Sequence, residues 1–219
     1  MSNSFIFSVV SCPLPELAFT NRVFVSYNDF NKFESNSPKC VDDPYLNVYF
    51  STFNSKVYMM VPHDNMIDGT IALNQLQRSN CGFTLKKEVM VKLFDSDVIL
   101  LDLHMEVEPM ILKNDLSILD LDELSVDFHQ LYKNQVFHEN NKIAMKYNGL
   151  NLIITILFMT AQVSIMETIR NIPSCYGKIL STTNLTWQKK PSGPKGTTQE
   201  YICSTGPTGP IGHTGPTEN

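Results

Sequence analysis

The stretch KIAMKYNGLNLIITILF, Lys142 to Phe158, sets two apolar runs on either side of the pair Asn148-Gly149. Asn-Gly accepts the positive φ angles of a type I′ turn, so these residues predict a two-residue β-hairpin, Lys142 to Tyr147 against Leu150 to Phe158. The second run, continued to Ala161, is far shorter than the roughly 20 apolar residues that span a bilayer, and it carries Asn151, Thr155 and Thr160. It reads as a buried strand and not as an anchor.

Upstream of the hairpin, Leu121, Leu124, Phe128, Leu131, Tyr132 and Val136 recur at three- and four-residue intervals, the spacing of one apolar helix face, with Asp120 and Glu123 as an N-cap pair. Val98 to Val107 precedes this helix as a strand, and Ile179 to Trp187 follows the hairpin as another. The first ninety or so residues divide into short strands: Val23 to Ser26, Leu46 to Thr52, Lys56 to Val61, Thr70 to Leu73 and Val89 to Phe94. Phe53-Asn54-Ser55 is expected to turn a hairpin, and Asn31 to Pro44 is expected to be a loop. Strands this closely spaced predict a barrel or a sandwich. The polar Asp95-Ser96-Asp97 is the expected joint, dividing the chain into residues 1–95, 96–190 and a Pro/Gly-rich tail, 191–219. That tail holds Gly-X-Y triplets from Gly206 to Thr217, too few for a stable triple helix, so an extended linker is expected.

Composition narrows the function. The 219 residues carry a formal charge of -5, which speaks against a nucleic-acid binder. Nine carboxylates between Asp95 and Glu123 face one full cation, Lys113, and form a solvated acidic face. The apolar start, Phe5 to Val10, lacks a basic flank and is too short for a secretion signal. Cys12, Cys40, Cys81, Cys175 and Cys203 are odd in number and include no CxxC pair, the pattern of reduced thiols in a cytoplasmic protein. The sequon Asn184-Leu185-Thr186 has no role in that setting.

No GxxxxGK[ST] phosphate loop occurs; Gly177-Lys178 lacks the leading glycine, and Gly193-Pro194-Lys195-Gly196 puts proline where amide donors are needed. His63, Asp64 and Asp68, or His129 and His138 beside their acidic neighbours, have the chemistry of metal ligands without a metal spacing. Glu106 and Glu108 share a strand face as an acid/base pair would, though a solvent-facing stripe is the plainer reading.

Four stretches resemble a known family. SCPLPELAFTNRVFV (Ser11 to Val25), GTIALNQLQRSNCGFTLKKEVMV (Gly69 to Val91), VDFHQLYKNQVF (Val126 to Phe137) and GKILSTTNLTWQ (Gly177 to Gln188) are similar, in order and spacing, to the amino-terminal domain of N-ethylmaleimide-sensitive factor. That factor is an AAA+ motor that takes SNARE complexes apart. The resemblance implies a double-psi β-barrel followed by a small α+β subdomain, mainly β overall. It also implies a module that recruits a SNAP adaptor bound to a SNARE complex, with ATP and Mg confined to rings absent from this chain. The module would then be no enzyme, would reach membranes only through its partners, and would be hexameric only if rings were attached. The Gly-X-Y tail is not expected to lead directly into such a ring.

The family's groove meets an acidic part of the adaptor through basic residues. Arg78 corresponds to one of these and Lys113 to another, whereas Ser11 and Leu112 stand where the family has Arg and Lys. Lys86 and Lys87, outside the family pattern, are expected to compensate from a neighbouring loop. The related ubiquitin-pathway AAA+ domain, a diverged standalone domain and an enzyme built on a β-barrel remain as alternatives.

Overall fold

The computed structural model describes residues 4–35, 46–50, 56–94, 98–111, 116, 119–165 and 168–190. The expected Phe53 turn, the expected joint at residues 95–97 and the tail lie outside those residues. The fold is mainly β, with two curled sheets and a few short helices.

Six strands close into a barrel: β1 (Ser4–Val10), β2 (Arg22–Val25), β3 (Leu46–Phe50), β4 (Val57–Pro62), β5 (Thr70–Ala72) and β6 (Glu88–Leu93), in the spatial order β1-β5-β2-β4-β3-β6. The pairs β1/β5 and β2/β4 are parallel, and the antiparallel β3/β4 pair matches the predicted hairpin. The apolar start of the chain is therefore a barrel strand, and it buries Phe7 and Val9.

Two helices interrupt the barrel. The expected loop from Asn31 instead opens inside a helix, α1 (Tyr27–Glu34), because Ser26 Oγ accepts from Asp29 N at 3.1 Å and Phe30 and Phe33, three apart, turn one face into the core. A second helix, α2 (Gln75–Cys81), stands where no helix was expected. Asn74 and Gln77 form a full capping box, side chain to opposing backbone N–H at 2.8 Å each way, and Gly82 ends the helix in the left-handed region. Both signals are legible in the sequence; the helix is simply too polar to show an apolar stripe.

The second sheet has seven strands: β7 (Ile99–Pro109), β8 (Val136–His138), β9 (Lys142–Tyr147), β10 (Leu150–Ile165), β11 (Thr168–Pro173), β12 (Tyr176–Lys178) and β13 (Asn184–Lys189). The Asn-Gly hairpin forms as predicted, with Tyr147 opposite Leu150 and φ angles of 45° at Asn148 and 78° at Gly149. Helix α3 (Leu121–Tyr132) covers this sheet and buries Leu124, Phe128 and Tyr132. It is shorter than its spacing implied: the chain turns at Asn134, φ 64°, and Val136 belongs to β8. The cap is also half of what was expected, because Asp120 accepts from Asp122 N and Glu123 N while the Glu123 carboxylate accepts from the Tyr147 hydroxyl at 2.9 Å.

The single strand expected over Ile179 to Trp187 is divided. Thr183 Oγ1 accepts from Leu180 N and donates to Leu100 O at 2.8 Å, which folds residues 179–183 into a turn between β12 and β13. Gly177 sits against Leu100, where a Cβ would meet Leu100 Cδ2 at 2.6 Å and Cγ at 2.9 Å. Leu100 is fully buried, so Gly177→Ala is expected to lower the unfolding free energy by about 1–3 kcal/mol through overpacking, read as a lower urea midpoint.

Candidate functional site

Three of the residues singled out in the sequence converge on the carboxyl end of β1. Val9 of β1 donates its N–H to Lys87 O at 2.9 Å and accepts Lys86 N at 2.7 Å, which pins the turn over residues 84–87 to this strand. One residue on, Val10 O accepts from Leu73 N at 3.0 Å, and Leu73 O in turn accepts from Arg78 Nη1 at 2.6 Å. Arg78 lies on α2 with its guanidinium folded back onto the strand that precedes the helix. The helix itself is fixed from below, since Gln77 Nε2 donates to Arg22 O at 3.1 Å and Asn74 Nδ2 to Ala18 O at 2.7 Å.

The chain leaving β1 passes through Ser11 and Cys12. Burial pushes the Cys12 thiol up to about 11, and the positive charge of Arg78 works against that rise. Ser11 is exposed. Lys86 and Lys87 are both exposed, and Lys87 Nζ lies 5.1 Å from the centre of the Phe83 ring. Lys113 and Leu112 lie outside the described residues, so the fourth expected charge has no position here. The outcome is a basic rim on a chain whose net charge is negative.

A second region was missed altogether: the seam between barrel and sheet. Asn21 Nδ2 donates to Gln135 Oε1 at 3.2 Å, and Gln135 Nε2 donates to Thr20 O at 3.0 Å. The Tyr132 hydroxyl points at Phe19 O, 3.1 Å, and Ala144 O, 2.8 Å. Asn80, on α2, donates to Lys142 O at 2.8 Å and accepts from Lys142 N at 3.1 Å, so its amide completes the edge of β9 as a neighbouring strand would. His138, which has the chemistry of a metal ligand, is buried, and its Nε2 accepts from Val57 N at 2.9 Å. Beside this seam a cleft of about 440 Å³ opens between Pro15, Glu16, Phe19 and Thr20 on one side and Leu131, Lys146 and Asn151 on the other.

Several of the remaining candidates have structural partners, whereas His129 Nδ1 is buried without one among the described residues. His63 Nδ1 accepts from Asn65 N at 3.1 Å, and Asp64 is exposed. Asp68 accepts from Asn28 Nδ2 at 3.1 Å, and hydrogen bonds from Ser26 and Asn28 hold its carboxyl below the usual value. Among the described residues no three His, Cys, Asp or Glu side chains converge as a metal site. His129 belongs to α3 and does not meet His138, which sits on β8 at the seam. Glu106 and Glu108 do share a face of β7: Lys190 Nζ is 2.5 Å from Glu108 and 4.0 Å from Glu106, and Lys142 Nζ is 3.8 Å from Glu108. Lysines thus answer both carboxylates. Among the described residues no helix is long and apolar enough to cross a membrane.

The geometry defines a mainly β protein in which a barrel and a sheet are locked by a polar seam and one barrel end carries a basic rim. No protein-family model matches the chain. Over 154 residues, 68% of its length, the chain is 28% identical to the vesicle-fusing ATPase of Arabidopsis thaliana, and it spans 19% of that protein. The likeness is therefore to a region of a vesicle-fusing ATPase, about a fifth of its length.

Proposed function

We propose that this chain is an adaptor-binding module related to the amino-terminal domain of vesicle-fusing ATPases, with a double-psi barrel over residues 1–95 and an α+β subdomain over residues 96–190. It recruits a SNAP adaptor seated on a SNARE complex in the cytoplasm, and it needs no cofactor of its own. The single observation that supports this reading is the gathering of Arg78, Lys86 and Lys87 at the end of β1, in a chain similar to such an ATPase. Local positive potential on a protein of net charge -5 suits an acidic partner and steers its approach.

The test is capture of the cognate SNAP adaptor on SNAREs by the full chain, compared with Arg78→Glu. Charge reversal beside the rim is expected to weaken capture by about tenfold or more at low salt, with the difference shrinking as salt screens it. Circular dichroism establishes that the variant is folded. Failure of the wild-type chain to bind at low salt ends this reading. In the ubiquitin-pathway alternative the cleft between Pro15 and Leu131 takes cofactor helices, and preferential binding of a ubiquitin-like cofactor would reverse the order.

A further inference from the structure

Five non-glycine residues among those described have positive φ, namely Asn21, Lys86, Asn134, Asn140 and Asn148. Asparagine tolerates the left-handed region because its short side chain bonds locally, whereas lysine has no such compensation. Among the described residues Asn or Gly therefore stands at each left-handed position except Lys86, φ 65°. Lys86 is the third residue of a turn in which Lys87 N donates to Thr84 O at 3.4 Å, a position that glycine fills without strain.

The same turn projects other side chains outward. Leu85, just before Lys86, is 49% exposed, and Lys87 follows with its ammonium over Phe83. Two backbone bonds to Val9 hold the turn rigid, so little ordering would accompany binding. Among the described residues neither lysine has an ion pair, and the neighbouring Glu88, also exposed, is paired with neither. A strained lysine, a second lysine and an exposed leucine on one fixed turn form a surface with both charge and grease.

Resting on the adaptor-binding reading, we propose that the turn Leu85-Lys86-Lys87 is a specificity element of the basic rim, and that it takes an acidic segment of the partner that carries an apolar side chain. Arg78 and the two lysines meet the carboxylates while Leu85 receives the apolar group. Charge complementarity selects this occupant, since a basic partner would be repelled by three cations and a purely acidic one would leave Leu85 uncovered.

Lys86→Gly separates binding from folding, because glycine relieves the backbone while removing the charge. It is expected to raise the urea midpoint of the full chain and yet to weaken binding of the SNAP–SNARE complex by about two- to fivefold, with a shallower salt dependence. Leu85→Ser is expected to weaken binding by about three- to tenfold with an unchanged salt dependence. If Arg78→Glu loses the adaptor while Lys86→Gly and Leu85→Ser bind as wild type, this inference falls and the adaptor reading stands. If the wild-type chain ignores the adaptor, a synthetic glutamate-rich peptide with one leucine decides. Binding that falls with Lys86→Gly, and again when serine replaces the peptide's leucine, upholds the turn as the site; absent binding, or binding equal in every arm, overturns it.

Discussion

Phe128→Ala is expected to lower the unfolding free energy by about 3–5 kcal/mol, the largest effect of any single truncation considered for this chain. Phe128 is fully buried, and its ring lies 4.7 Å from Tyr132, 5.6 Å from Phe137 and 5.4 Å from Trp187, centre to centre. It is thus the point where α3, β8 and β13 meet, and its removal leaves a cavity lined by three rings that cannot collapse together. Tyr132, one turn along the same helix, carries the hydroxyl bonded to Phe19 O, so loosening of this cluster reaches the seam. Trp187, the one tryptophan of the chain, donates Nε1–H to Ser125 Oγ at 2.8 Å, and its fluorescence reports unfolding directly. Val126→Ala on the same helix is the control: Val126 is 66% exposed and its truncation is expected to change stability by less than about 0.5 kcal/mol. Equal urea midpoints for the two variants would show that the aromatic cluster does not hold the helix to the sheet.

The second large effect is a loss of stability in acid that runs through His138. Its Nε2 accepts the Val57 N–H, which requires a neutral imidazole, and burial, with a smaller contribution from Lys56, lowers its pKa to about 3. An unfolded histidine titrates near 6.5. Below that value the unfolded chain takes up a proton that the folded chain refuses, so stability contributed above pH 6.5 is lost progressively as pH falls toward 3. At pH 5 the loss from this one group amounts to about 2 kcal/mol. His138→Phe removes the titration and leaves Val57 N–H without its acceptor, at about 1–3 kcal/mol in neutral solution. The expected signature is a crossing pattern: the variant is weaker at pH 7.5 and loses less than wild type between pH 6.5 and 5. A parallel acid loss in both proteins would assign the sensitivity elsewhere.

The two effects belong to different kinds of information. Phe128 stands in a repeating apolar pattern that predicts a buried helix face, and the face is buried. His138 has no such pattern: its partner is 81 positions away. The same contrast runs through the candidate site. Resemblance singles out Arg78, but its fold-back onto Leu73 O depends on how α2 follows β5. Lys86 is expected from the sequence only as a compensating charge, and backbone angles single it out from the other exposed lysines. Helix α1 is hidden because Ser26, its cap, also ends a β-branched run, and α2 because it is too polar to show an apolar stripe.

Local chemistry settles local shape. Asn148-Gly149 dictates its hairpin, the β-branched runs dictate strands, and the absence of a phosphate loop follows from the letters alone, since each depends on residues a few positions apart. Only the folded chain decides which of those elements meet. Gln135 reaches Asn21 across 114 positions, and Val9 gathers Lys86 and Lys87 to the strand that leads to Ser11, because closing the barrel and docking it on the sheet bring together residues that no short-range preference connects.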